Sequence, residues 1–251
     1  MNRGPSVLLL GGTGKTGRQV LPLLLDAGAS VRVIVRSASR LPSEVTHHPA
    51  LDVVVADLAN LPDDEWRRHL VGRDSVISCL GHTTSLRGIF GPPRDLVTGA
   101  VAAVVRAARE TERDAPLRLV VLSSVSVHRP LPADALRGRA ERAYLNLLAS
   151  LVPPALDNQR AANMLENEVG SGDPHVFWVA VRPDGLVGGE ETEYVVADQL
   201  TRSVFRPTTT RRANVASFMT RLVADDATWN RWQGGMPVLE DAPDASGSAG
   251  W

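Results

Sequence analysis

The chain has 251 residues, 43% of them hydrophobic and 22% charged, with a formal net charge of −1. This balance suits one large α/β domain with a sizeable core, and near-neutrality excludes whole-molecule steering toward nucleic acid. Apolar runs far shorter than the roughly 20 residues of a membrane span exclude a transmembrane helix, and a single cysteine, Cys79, excludes an intramolecular disulfide and a cysteine-built metal site.

Met1–Pro5 pass straight into an apolar segment with no charged leader and long apolar stretch, which predicts a cytoplasmic protein with no metal centre. Ser6–Leu10 is a short apolar run ending in glycines, the pattern of a buried strand. Lys15–Ala27 reads as a helix with Val20, Leu23, Leu24 and Ala27 at helical spacing and Pro22 inside it. Strands are expected at Val31–Val35 and Asp52–Val55, then a short helix at Asp63–Leu70 with acidic residues in its first turn. A fourth strand is expected at Ser75–Leu80, a long helix at Pro92–Glu110 and a fifth strand at Leu117–Leu122. Strands alternating with helices imply βαβ units and a parallel sheet covered on both faces, a Rossmann-type doubly wound fold.

The second half is less regular. Helices are expected at Ala133–Leu151, ending before Pro153-Pro154, at Asn158–Val169, and late at Val215–Val223. A sixth strand is expected at Val176–Val181, closed by Arg182-Pro183, and a short last one at Met236–Leu239. No repeat or linker divides the chain. Residues 1–239 read as one domain with a small C-terminal substrate-side elaboration (about 128–175 and 184–239), and residues 240–251 as a disordered tail.

Gly11-Gly12-Thr13-Gly14-Lys15-Thr16-Gly17 lies between the first strand and first helix, where a βα turn lets a diphosphate approach the backbone. Residues without side chains permit the turn, and the helix start offers unpaired N–H groups and a positive dipole end. The spacing G-x-x-G-x-x-G is neither the common G-x-G-x-x-G nor a Walker loop. Its place between a strand and a helix marks a dinucleotide site rather than an ordinary tight turn. The second strand ends at Arg36, with Ser37 and Arg40 behind it, where an NAD-binding protein carries an acidic residue for the ribose 2′-hydroxyl. A guanidinium matches a 2′-phosphate instead, predicting NADP(H) over NAD(H). Asp57 and Leu58 follow the third strand and Leu80 and Gly81 the fourth. With Ser123 after the fifth and Arg182-Pro183 at the sixth, they complete the candidate cofactor contacts. Asp57 reads equally as a loop cap.

Beyond these residues the chain resembles a known group. The glycine pattern, Val33-Ile34-Val35-Arg36 with Arg40-Leu41-Pro42, Val55-Ala56-Asp57 and Asp74-Ser75-Val76-Ile77 are similar to the atypical short-chain dehydrogenases, nearest to NmrA-like proteins and biliverdin-IXβ/flavin reductase. Val179-Ala180-Val181-Arg182-Pro183 and Asn214-Val215-Ala216-Ser217-Phe218-Met219 extend the resemblance over roughly residues 6–239. It implies fold and cofactor; the group contains reductases, isomerases and cofactor-sensing proteins without turnover.

The chain departs from standard short-chain dehydrogenases, whose Tyr-x-x-x-Lys pair uses an ammonium to lower a phenol pKa from about 10. Lys and Arg total 27, but only Lys15 is lysine, and four residues past Tyr144 and Tyr194 stand Leu148 and Asp198. Val125 stands where the group's catalytic serine aligns, flanked by Ser124 and Ser126. The candidates to line a nicotinamide are His82 and Thr83, Ser124 to His128, and Arg182 to Gly185. Ser124, Ser126 and His128 are the candidate catalytic groups. Asp157, Asn158 and Arg160 open a helix that the resemblance places beside the pocket, with Asp157 reading as its N-cap. Trp178, Trp229 and Trp232 read as packing residues and Cys79 as inert. The implied function is NADPH-dependent hydride transfer to a small or aromatic acceptor by a monomer or homodimer that binds neither nucleic acid nor membrane. The alternatives are a non-redox dehydratase, epimerase or cyclase, and an NmrA-like NADP(H) sensor.

Overall fold

The computed structural model describes residues 4–81, 91, 93–130 and 133–243. His82 and Thr83 lie outside the described residues. Seven strands run parallel: β1 (Ser6–Leu10), β2 (Ser30–Val35), β3 (Leu51–Val55), β4 (Ser75–Ser78), β5 (Leu117–Leu122), β6 (Val176–Pro183) and β10 (Val238–Asp241). The order across the sheet is β3-β2-β1-β4-β5-β6-β10, closed by β8 (Tyr194–Ala197), which pairs antiparallel with β10. The strand order reverses direction at β1, opening the crevice beyond its carboxyl end. A separate pair, β7 (Leu186–Val187) and β9 (Thr210–Arg211), lies outside this sheet.

Each face carries its own apolar layer. Val7, Leu9, Val33 and Ile77 face α1 (Gly17–Asp26) and α6 (Arg212–Ala224), which pack against each other. Leu8, Leu10, Val76 and Leu119 face α2 (Asp63–Leu70), α3 (Leu96–Arg109) and α5 (Pro153–Met164). The central strands are buried on both faces, so their sequences are continuous apolar runs rather than alternating ones. Trp178 and Trp229 are buried as packing residues, and Trp232 meets Phe218 edge-on. Burial pushes the Cys79 thiol up to about 12, which keeps it protonated and unreactive. Among the described residues no helix is long and apolar enough to cross a membrane, and no acidic, His and Cys cluster could hold a metal ion.

Several boundaries differ from expectation for identifiable reasons. α1 begins at Gly17 because Lys15 and Thr16 still belong to the turn. α3 begins at Leu96, past the proline pair at 92 and 93. The helix expected from Ala133 begins at Arg139 (α4, Arg139–Leu151), since residues 133–137 are held as turns by side chains described below. α5 begins at Pro153, earlier than Asn158, because Pro153-Pro154 occupy the first helical turn, where no N–H is needed. It then runs into a π-turn, Leu165–Val169. The last strand continues to Asp241, beyond the proposed tail boundary at 240, because β8 pairs with it. β7, β8, β9 and α7 (Asp226–Trp232) are additions to the expected set.

Asp157 is not the N-cap of its own helix. It sits inside α5, buried, and caps α3 instead: Val97 N–H donates to Oδ2 at 2.8 Å and Thr98 N–H to Oδ1 at 3.0 Å. The Thr98 hydroxyl donates to Oδ1 at 2.6 Å. One carboxylate thus satisfies two helix-end donors that have no partner within their own helix. We predict that Asp157→Ala lowers stability by about 2–3 kcal/mol in urea unfolding. Asp157→Asn, which keeps one acceptor, should lose less. Equal stability of Asp157→Ala and the parent would contradict this cap.

Candidate functional site

The registers align the strand ends along one edge of the sheet. Leu10 lies opposite Ile34 on one side and Ser78 on the other, Ser78 opposite Val121, and Leu122 opposite Val181. Gly11, Arg36, Asp57, Gly81, Ser123 and Pro183 therefore emerge at the same edge, where ligands of open α/β sheets bind.

Gly11 turns the chain off β1 at φ +78°, and a Cβ there would meet the Cys79 carbonyl oxygen at 2.7 Å. Gly17 packs so closely that its Cβ would stand 2.2 Å from the Gly11 oxygen. Both positions exclude any side chain, which brings α1 close against the end of β1. Within the turn, Gly14 N–H donates to Gly11 O at 2.9 Å. Among the described residues, the N–H groups of Thr13, Lys15, Thr16 and Gly17 have no acceptor. α1 has no side-chain cap and no acidic residue in its first turn. Open amides at an uncapped helix start fit a diphosphate.

Arg36, Arg40 and Lys15 are exposed, with no acidic partner among the described residues. Arg18 ties α1 to this region by donating to the Arg40 carbonyl at 3.3 Å. Ser37 and Ser39 hydroxyls pair at 2.9 Å. Asp57 acts as a loop cap, accepting from Ala59 N–H at 3.3 Å and the Asn60 amide at 2.8 Å. Leu58 is half-buried behind it, and Leu80 is buried. Gly81 is exposed, and a Cβ there would meet no described atom within 4 Å.

The other end of the edge is built from the loop after β5. Ser123 N–H donates to Val181 O at 2.8 Å and Val125 N–H to Pro183 O at 3.2 Å, which continues the β5–β6 ladder past the strand. The Ser123 hydroxyl is buried without a partner. Ser124 Oγ accepts from both the N–H and the hydroxyl of Ser126, each at 3.2 Å, leaving its own proton free for an outside acceptor. Gln159 on α5 grips His128 through both backbone groups, accepting from its N–H at 3.1 Å and donating to its carbonyl at 3.0 Å. Burial, then the Arg142 and Arg137 guanidiniums, hold the His128 imidazole below its ordinary range. Both effects favour the neutral ring over imidazolium.

Arg182 does not offer its side chain to a ligand. Its guanidinium is fully buried and spent: Nε on the Met236 carbonyl at 2.8 Å, Nη1 on Val127 O at 3.3 Å, and Nη1 and Nη2 on the Asp134 carboxylate at 2.8 and 3.3 Å. Pro183 contributes only its backbone and ring. Asp184 accepts from Gly185 N–H at 2.8 Å and Thr208 N–H at 2.7 Å, joining the end of β6 to the segment before β9. Tyr144 stacks on Phe205 at 5.3 Å between centroids, and the Tyr194 ring meets Phe218 at 6.4 Å. Neither has a lysine beside it.

Asp134, Arg137, Arg142 and Gln159 were missed by sequence reasoning. Arg142 donates to the carbonyls of Arg137, Arg129 and Asp134 at 3.0, 2.9 and 2.8 Å. Arg137 donates to Val125 O and lies 3.2 Å from Glu141. No local pattern announces these partners. Asp184-Gly185, by contrast, falls in the segment Arg182 to Gly185 singled out from the sequence, and after a proline it carries a recognisable turn signal.

Solved structures share this architecture at low identity. The oxidoreductase ylbE from Lactococcus lactis superposes with TM-score 0.65 at 18% identity, over 94% of this chain and 91% of that one. A short-chain dehydrogenase/reductase from Veillonella parvula in complex with NADP gives 0.66 at 13%, over 95% of each chain. A Streptococcus pneumoniae protein provisionally designated an NADH-flavin reductase gives 0.65 at 17%, over 95% of this chain and 100% of that one. At these identities the likeness concerns the fold. The family model for NAD(P)H binding matches residues 11–226, most of the chain and the whole phosphate turn, and the protein belongs to that NAD(P)H-binding family.

Proposed function

We propose that the protein is an NADPH-dependent oxidoreductase that reduces a small or aromatic acceptor without a tyrosine–lysine pair. The observation that supports the cofactor choice is the group of cations Arg36, Arg40 and Lys15, without acidic partners among the described residues, around a glycine turn whose amides have no acceptor among them either. The turn amides of Thr13, Lys15, Thr16 and Gly17 would hold the diphosphate, and Arg36 and Arg40 the 2′-phosphate. No carboxylate stands at position 36 to select a 2′-hydroxyl.

When bound, NADPH supplies the hydride. The chain supplies position: backbone at Gly81 open to approach, the Ser124 hydroxyl free to donate, and a loop fixed from several sides. Hydride transfer depends on proximity and orientation more than on a strong acid. The chain has one lysine, and among the described residues His128 is the imidazole beside this loop, its pKa lowered mainly by burial, so it is no strong proton donor. An acceptor such as a flavin or a quinone, already polarised, takes the hydride and draws the accompanying proton from solvent.

The coenzyme preference is tested by calorimetry on Arg36→Asp. NADPH affinity should fall by roughly 10- to 100-fold, the worth of a charge-assisted contact, while NADH affinity holds or rises. An unchanged NADPH preference would remove Arg36 from the site. The reaction is tested by following NADPH oxidation with flavins and quinones. Consumption of NADPH with formation of reduced acceptor is the expected result. Firm NADPH binding with no oxidation by any acceptor would replace the reductase by a coenzyme-binding protein without turnover.

A further inference from the structure

The loop between β5 and α4 carries Ser123, Ser124, Ser126 and His128, yet its anchorage lies behind them. Arg182, on β6, donates to Val127 O and forks onto both oxygens of Asp134. Asp134 Oδ2 also accepts from Arg129 N–H at 2.7 Å. One ion pair therefore gathers residues 127, 129 and 134 onto the sheet strand whose next residue, Pro183, borders the site. The Arg182 Nε contact to Met236 O fixes the guanidinium from the opposite side.

Both partners have side chains with 0% exposure. Burying two ions costs several kcal/mol each, and apolar residues of similar volume commonly serve stability as well or better. Stability alone gives little reason to bury this pair. Its distinct property is geometric, because a planar guanidinium forked on a carboxylate has one orientation, whereas packed methyl groups tolerate small slides. Small slides matter here: a displacement of about 1 Å at a reacting geometry can cost on the order of 100-fold in rate.

We infer that Arg182 and Asp134 are a pair of positioning residues that set Ser124 and His128 against the nicotinamide end of the site without touching the ligand. This rests on the NADPH reading above. The adenosine end, built from residues 11–17, 36 and 40, is independent of the pair, so the two ends respond separately when it is removed.

The test uses the full chain with Arg182→Met/Asp134→Leu, a swap that removes both charges together and so strands neither. Arg182→Lys, which keeps the charge and loses the fork, is read in the same way if the double variant does not fold. Adenosine 2′,5′-bisphosphate binding reports the adenosine end. The emission of bound NADPH reports the nicotinamide end and needs no turnover; kcat and KM with a flavin add the chemical readout. The expected result is fragment affinity within about threefold of the parent, altered nicotinamide emission and a kcat lower by about tenfold or more at nearly constant KM for NADPH. A folded variant with parental emission and kcat would overturn the assignment. So would fragment affinity falling in step with emission, which marks the pair as a strut of the whole fold. Failure of the underlying reading looks different: a parent protein that binds no NADPH removes the site itself. A parent that binds without turnover removes only the reductase, and emission still decides the role of the pair.

Discussion

Contact between the end of β1 and the start of α1 governs the rest of the molecule. Gly11 turns against the Cys79 carbonyl and Gly17 packs onto Gly11, with no room for a Cβ at either position. This closeness aims the open end of α1 at the crevice where the strand order reverses. The amides of that helix start have no acceptor within the described protein, and no acidic side chain neutralises them. A helix start left uncapped forgoes roughly 1 kcal/mol that a serine or aspartate would contribute. The protein gives up this local stability at the point where an anionic ligand would recover it.

The two ends of the sheet edge differ in kind. At the Arg36 end the cations are exposed and have no acidic partner among the described residues, so on the proposed reading a phosphate would meet them at little cost in prior contacts. At the β5–β6 end the charges are committed to protein partners, through the buried pair Arg182–Asp134, half-buried Arg142 on three carbonyls, and half-buried Arg129–Glu166 at 2.8 Å. The first end suits affinity and the second suits geometry. Affinity tolerates a flexible guanidinium at the surface, while orientation of a reacting ring needs neighbours that cannot shift.

Local signals carried the first half of the fold. Five apolar runs, each bounded by turn residues, read directly as parallel strands, of which β3 lies half-exposed at the sheet edge, and the glycine spacing located the turn after β1. Arg36 could be singled out because its place after the second strand, at a set distance from the glycines, faces the ribose end of the crevice in this topology. The second half was less legible because its order comes from pairs distant in sequence. Asp157 caps a helix begun about sixty residues earlier, and it looked like a cap for its own helix because capping chemistry is visible in sequence while the capped partner is not. Arg182 was placed at the site by its neighbour Pro183, but its side chain turns inward to Asp134, 48 positions before it. The short strand β8 was missed because its pairing with β10 comes from the tertiary edge of the sheet rather than its own periodicity.

These long-range pairs bear on a chain of the NAD(P)H-binding family that resembles the short-chain dehydrogenases yet has one lysine. A tyrosine–lysine pair concentrates proton transfer in two side chains whose pKa values are tuned to each other. Here Leu148 and Asp198 stand four residues past the two tyrosines, and Asp198 is bound to Arg231 at 2.7 Å. In place of tuned acidity the described residues offer fixed position: a serine whose oxygen accepts twice from Ser126, a histidine with a lowered pKa clamped through its backbone, and arginines that hold the loop. On the proposed reading, such a site would do little for an acceptor that must be protonated as it is reduced. It would serve an acceptor that is already electrophilic, for which the remaining barrier is the approach and alignment of two rings.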